Sequence, residues 1–160
     1  MSEAANPNYV RTSSLGAELY EEEAKVLAGI MGVRHLKDGE TLITEGGTET
    51  TLFILAAGNL AVISNNDDKE TVEYTMTKGE CAGTRAFVDR TPRKATLRAV
   101  GNATIYTLTP DAFESLLDNH PHIVYKVMRA LFRVTHGNLM RMNQESRELA
   151  NYITKTHGRY

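Results

Sequence analysis

These 160 residues predict a mainly β domain, a sandwich or barrel, with a short helix before it and a long helix after it. Three observations carry that reading. Residues 34–108 fall into short stretches rich in Thr, Val, Ile and Leu, broken at regular intervals by KDG, EGG, AAGN, NNDD, KGE and VGN. Such spacing suits strands joined by turns rather than βαβ units. Ahead of them, LYEEEAKVLAGIMG carries apolar residues at helical spacing, and behind them Pro121 opens a run to about Thr156 with no further proline.

In chain order, residues 1–14 are polar and unpatterned and read as a mobile arm, which leaves residues 15–157 as the domain. Leu19, Ala24, Leu27, Ile30 and Met31 then mark one face of the first helix. Glu21, Glu22 and Glu23 stand early in it, where the helix dipole favours negative charge, and Gly32 is its expected stop. Gly58-Asn59 is read as a hairpin turn between TLFILAA and LAVIS, and Gly101-Asn102 as another between KATLRAV and ATIYTL. Thr109-Pro110-Asp111 supplies a cap, a helix-starting proline and an acid in order, with Phe113, Leu116 and Leu117 forming an apolar face behind them. In the last run Met128, Leu131, Thr135, Asn138, Met142, Glu145 and Leu149 recur at steps of three and four. A helix of that length extends about 50 Å, more than a domain of this size covers, so the seam is expected to pair with a second copy in a homodimer.

Composition narrows the function. Hydrophobic residues make up 41% and charged residues 24%, values ordinary for a folded globular chain. Nothing approaches a membrane span or a signal core, which places the chain in the cytoplasm with no membrane contact. The formal net charge of -2, with Lys and Arg scattered, argues against direct nucleic-acid binding. Cys81 is the only cysteine, so it is read as a small buried apolar residue. No histidine occurs between His35 and His120, so the sheet offers no metal set, and His120 and His122 are read as exposed at a helix start. Ser13, Ser14, Ser64 and Cys81 lack a histidine and carboxylate at a recognisable spacing. The chain is expected to be neither an enzyme nor a cofactor carrier.

One stretch does suggest a ligand. GECAGTRAFVDRTPRKATLR, residues 79–98, sets a glycine turn before a short helical piece and follows it with Arg93. Gly83 permits close approach of the backbone, amides at a helix start can face an anion, and a guanidinium can grip one phosphate in two places.

This segment resembles the phosphate-binding cassette of the cyclic nucleotide-binding domain family, which runs Phe-Gly-Glu-Leu-Ala and then, after a helical turn, Pro-Arg-Ala-Ala-Thr. Here the same positions read Ala82-Gly83-Thr84-Arg85-Ala86 and Pro92-Arg93-Lys94-Ala95-Thr96, with no insertion between them. LKDGETLITEGGTETTLFILAAGNLAVI, residues 36–63, is similar to the family's early strands, and the likeness extends over about residues 19–150. It implies a double-stranded β-helix, or jelly-roll barrel, and a ligand such as cAMP or cGMP. By the same resemblance Arg93 meets the phosphate, the amides of Ala86 and Lys94 add donors, Gly83 lies against the ribose, and the long helix closes over the base. Ala95 completes the second half, and Asn138 falls where some members offer a polar side chain to the purine.

Three positions depart from the pattern. Thr84 stands where the family has the glutamate that accepts the ribose hydroxyl, a loss of roughly 1 to 2 kcal/mol if a neutral acceptor replaces a charged one. Arg85 and Lys94 replace an apolar and a small residue, so a more positive pocket is expected, with only Asp89 nearby in sequence. Ala82 replaces an aromatic, and Phe87 is a candidate to fill the space. Two functions remain open: a stand-alone regulatory module that binds a cyclic nucleotide and signals to a protein partner through its last helix, or a degenerate domain that serves as a dimerisation or docking scaffold. The family's transcription regulators carry a winged helix-turn-helix after the long helix. With the sequence ending at Tyr160, none is expected here.

Overall fold

A computed structural model describes residues 3–157. The elements follow as α1 (Pro7–Thr12), α2 (Glu21–Gly29), β1 (Gly32–Leu36), β2 (Thr41–Ile43), β3 (Leu52–Asn66), β4 (Lys69–Met76), β5 (Cys81–Ala82), α3 (Thr84–Asp89), β6 (Thr96–Leu108), α4 (Pro110–Glu114) and α5 (Pro121–His157). The strands form one antiparallel sheet in the order β1-β6-β3-β4, with β2 added to β6 and β5 to β3. The pairings of the described residues leave the sheet open, with β1 and β4 at its edges, so the closed barrel expected from the sequence is not among them.

The centre of the sheet is the ladder between β3 and β6, from Leu52 opposite Leu108 to Ile63 opposite Thr96. Gly58 and Gly101 lie inside these two strands and make no hairpins, which corrects both turn assignments. Each has a left-handed φ, 84° and 74°, and the β3–β6 register shifts on either side of Ala57. A glycine with positive φ reads in sequence as a turn, yet the same backbone serves a bulge that bends a strand and lets it continue. At Gly58 the approach is close as well: a Cβ there would lie 2.3 Å from the carbonyl oxygen of Asn102. The true hairpin is the NNDD signal, where Asp67 and Asp68 take φ of 53° and 63° between β3 and β4, the left-handed pair that a two-residue turn requires.

Alternate residues of β3 feed two cores, as a period of two dictates. Phe53, Leu55 and Leu60 join Ile105 and Leu97 in the inner cluster, while Leu52 and Ile54 join Tyr106 and Leu108 in the outer one against the helices. Ala24 and Leu27 of α2 and Ile123, Val127 and Leu131 of α5 complete the outer cluster.

Residues 3–14 are packed, where a free arm was expected. Asn6 caps α1 by accepting from the Asn8 amide at 2.9 Å, Val10 is wholly buried, and the Ser14 amide donates to Gly79 O at 2.8 Å. A helix this short hides essentially one apolar position, which leaves no periodicity for the sequence to show. Met1 and Ser2 lie outside the described residues. The first long helix also stops earlier than expected: α2 ends at Gly29 and Gly32 already begins β1. By contrast α4 starts on its expected cap, with Thr109 Oγ1 accepting from the Ala112 amide at 3.1 Å.

Helix α5 runs the full expected length, and only its beginning is buried. Ile123, Val127, Ala130 and Leu131 face the domain, and beyond Leu131 no described residue of the helix is buried. Its start is tied to the N-terminal segment by charge: Lys126 Nζ donates to Glu23 at 2.6 Å, and Arg129 and Arg133 share Glu18 at 3.2 and 3.1 Å. Of the expected seam, Leu131 faces its own domain, Thr135, Asn138, Glu145 and Leu149 are exposed, and the side chain of Met142 lies outside the described residues.

Candidate functional site

The cassette hangs from the centre of the sheet. Cys81 and Ala82 pair with Ile54 and Phe53 on β3, which delivers Gly83 to the sheet's rim. Gly83 takes φ 85° and turns the chain directly into α3, whose first amides receive no side-chain cap. The Arg90 amide closes that helix on Ala86 O at 2.9 Å. The return to β6 passes Arg93, which two backbone hydrogen bonds of 2.8 Å hold against the preceding loop: Gly46 N to Arg93 O, and Arg93 N to Gly47 O. Residues 46–47 and 83 thus clasp one arginine from two sides.

Arg93 is buried to an unusual degree for a cation, with its side chain 4% exposed. Its Nη1 donates to Gly83 O at 3.3 Å, and its Nη2 to Thr51 O at 2.7 Å and to the Glu49 carboxylate at 2.8 Å. The guanidinium also lies 5.5 Å from the centre of the Phe53 ring. Nε is buried with no hydrogen-bond partner among the described residues, as is the hydroxyl of Thr91. An unfilled donor on a buried guanidinium is costly, and it is the feature of this site that most asks for an anion.

Glu49 is the residue of this cluster that sequence reasoning missed. Burial pushes its carboxyl up, but hydrogen bonds from Thr51 and Arg93 outweigh burial and hold it below the usual carboxylate value. Its other oxygen accepts from the Thr51 amide at 2.5 Å. The pairing therefore balances the charge of Arg93 itself with an acid that the sequence reading of a more positive pocket does not count. Arg85 and Lys94 are exposed and make no ion pair among the described residues. Asp89, the acid near them in sequence, is exposed too, so Arg93 turns to Glu49 instead.

The remaining predicted positions divide. Gly83, Ala86, Arg93 and Ala95 are buried or half-buried parts of the cassette, and Thr84 is half-buried at the first turn of α3. Asn138 is exposed on α5, three residues before Arg141, whose guanidinium lies 5.0 Å from the centre of the Tyr74 ring on β4. No hydrogen bond among the described residues joins Asn138 to the cassette. Tyr74 in turn donates to Glu80 at 2.5 Å, one residue before β5. Phe87 does not fill the space left by Ala82: it packs outward on Phe113, with ring centres 5.5 Å apart. Burial pushes the Cys81 thiol up to about 12, although the residue as a whole is half-buried and not fully buried as the sequence reading has it.

A cavity of about 390 Å³ opens beside Arg93 on the side of β1 and β2, with Arg34, Ile43, Glu49, Phe53 and Thr107 among its walls. That is within the size range of small-molecule sites. Among the described residues no cluster could hold a metal ion, and no helix is long and apolar enough to cross a membrane.

Comparison with known proteins bears directly on this geometry. A cGMP-dependent protein kinase of Toxoplasma gondii is 22% identical over 157 residues, covering 97% of this chain but 15% of the kinase. The chain spans less than a fifth of the curated kinase relatives it matches. Among solved structures, a cyclic nucleotide-binding domain from Methylobacillus flagellatus KT superposes with a TM-score of 0.81 at 20% identity, covering 91% of this chain and 86% of that one. The regulatory domain of Toxoplasma gondii PKA, crystallised with cAMP, gives 0.62 at 26% identity over 68% of this chain and 42% of that one. The family model for the cyclic nucleotide-binding domain, a binding and not a catalytic unit, matches residues 33–120. That span runs from β1 through the whole cassette and α4, more than half of the sequence, and on it the chain belongs to the cyclic nucleotide-binding domain family.

Proposed function

We propose that this chain is a regulatory module that binds a cyclic purine nucleotide, cAMP or cGMP, and passes the event on through α5. The observation that carries the reading is Arg93: a buried guanidinium, fixed by its own backbone against Gly46 and Gly47, with Nε unfilled. A phosphate supplies what that donor lacks, and the uncapped first amides of α3 lie in the same cassette. Thr84 supplies a neutral hydroxyl to the ribose in place of a carboxylate, which weakens the complex without removing its phosphate anchor.

The output follows from α5. Arg141 on Tyr74, and Tyr74 on Glu80, connect the helix to the residue that precedes the cassette. A ligand that shifts the cassette shifts that contact, and the far half of the helix, exposed and apolar in part, offers a surface for a second copy or a protein partner. A second reading, a scaffold that no longer takes a nucleotide, draws on one observation, the Glu49 carboxylate already seated on Arg93.

Calorimetric titration of the wild type and of Arg93→Ala and Arg93→Lys with cAMP and with cGMP separates the two. The sensor reading expects binding by the wild type and a loss of about tenfold or more in Arg93→Ala, the weight of one charged hydrogen bond. Absence of heat from the wild type with either nucleotide leaves the scaffold.

A further inference from the structure

We propose that Glu49 is an internal competitor for the phosphate seat, a residue that sets the affinity and selectivity of the site by occupying Arg93 until a ligand displaces it. The inference rests on the sensor reading above and deepens it.

A guanidinium offers an oxyanion two fork geometries, and the side-on fork uses Nε together with Nη2. In this protein Nε is unfilled, while Nη2 gives one of its hydrogens to Thr51 O and the other to Glu49. Glu49 therefore blocks half of the fork. With Glu49 in place Nε is buried, so an arriving phosphate finds no open donor on Arg93 and meets a neighbouring negative charge. A phosphate that displaces Glu49 gains both donors.

Displacement is feasible because of where Glu49 stands. It lies in the loop of residues 44–51 between β2 and β3, outside any strand or helix. Its side chain is 53% exposed, against 4% for Arg93, so it can swing to water while Arg93 stays fixed by the backbone bonds to Gly46 and Gly47. Exposed carboxylates are readily hydrated and a buried guanidinium is not, so the pair opens on the side of the acid.

Selectivity follows from the same contest. Glu49 is tethered, and the Thr51 amide orients it, so it acts at high effective concentration against any free anion. An anion whose only contact is with Arg93 loses to it. A nucleotide that adds contacts from its sugar and base can win. Glu49 thus filters inorganic phosphate from a cyclic nucleotide, and it does so at a cost in affinity for the nucleotide itself.

The test is titration calorimetry of the intact chain, wild type and Glu49→Gln, with cAMP, with cGMP and with inorganic phosphate. Glutamine keeps the size of the side chain and its oxygen for Arg93 and Thr51 but removes the charge. Thermal unfolding of both proteins checks that the variant is folded, and Glu49→Ala serves as a second variant with no acceptor at all. Both variants are expected to bind the preferred nucleotide about five- to thirty-fold more tightly than wild type, the difference between a charged and a neutral hydrogen bond. Inorganic phosphate is expected to compete measurably only in the variants. Equal or weaker nucleotide binding by both variants, with the wild type binding, overturns the competitor role and makes Glu49 a support for Arg93, while the sensor reading stands. No nucleotide binding by any of the three proteins overturns both.

Discussion

At Gly83 the demands of backbone geometry and of the Arg93 side chain meet in one residue. A Cβ there would lie 2.6 Å from Arg93 Nη1 and 3.0 Å from Thr51 O, on a backbone with φ +85°. Gly39 has nearly the same φ, +83°, with nothing within 4 Å of the added atom. The pair makes an internal control. Gly39→Ala is expected to lose roughly 1–2 kcal/mol of stability, the left-handed penalty for an L residue. Gly83→Ala is expected to lose more and to weaken cyclic nucleotide binding, because the methyl pushes the guanidinium off its carbonyl. Urea unfolding of both variants beside a nucleotide titration measures it, and equal losses with unchanged binding would separate Gly83 from Arg93. This is also the scale at which the sequence was most and least legible. Gly83 and Arg93 stand ten positions apart in one local motif, so their partnership could be read directly. Glu49 meets Arg93 across 44 positions of chain, from a loop whose Thr and Gly residues carry no pattern, and the two segments come together through the β3 pairing with β5 and the backbone bonds of Gly46 and Gly47 to Arg93.

Among the elements, the α2–α5 contact is where charge and packing work together. Glu23 and Lys126 are 18% and 20% exposed and lie 2.6 Å apart. Burial pushes the Glu23 carboxyl up, yet hydrogen bonds from Lys126 and the Tyr20 amide, with the charges of Lys126 and His122, bring it below its ordinary value of 4.5. A carboxyl lowered in the folded state stabilises the fold above its unfolded value and loses that contribution as pH falls through the folded one. Glu23→Gln is therefore expected to be less stable than wild type by about 1–2 kcal/mol near neutral pH. The gap should close as the pH drops below 4.5. Denaturant curves at neutral pH and near pH 3 check it, and a gap independent of pH would assign the effect to packing. Element legibility followed the strength of local chemistry. The Thr109 cap and Pro121 announced α4 and α5, and Asn65-Asn66-Asp67-Asp68 announced the turn between β3 and β4. Gly58 and Gly101 misled because left-handed φ is common to turns and to bulges, and choosing between them needs the opposite strand.

For the whole molecule, the question is what covers the far half of α5. Phe132 is 70% exposed and Leu149 61%, with Leu139 and Met140 also open to solvent. A helix of 37 residues spans about 55 Å, and the domain buries only its first three turns. Association through this half of the helix in a homodimer is the outcome expected of sedimentation equilibrium on the intact chain, with Leu139→Glu/Leu149→Glu shifting it to monomer. A clean wild-type monomer at tens of micromolar would leave the surface to a different protein. The regulatory reading gains from either outcome, since both put the exposed stripe at the end of a helix whose middle touches Tyr74.

The ladder between β3 and β6 has a consequence for how the molecule comes into being. Its partners are dozens of positions apart, and the β3–β4 hairpin and the entire cassette lie inside the loop that it closes. Local pairing at Asp67-Asp68 can form early, whereas closing so long a loop is slow and belongs late in folding. A nascent chain that has reached residue 95 already contains Gly46, Glu49, Gly83 and Arg93, but none of β6. Until that last strand arrives, Arg93 and its partners have been synthesised without the central strand that completes the sheet around them.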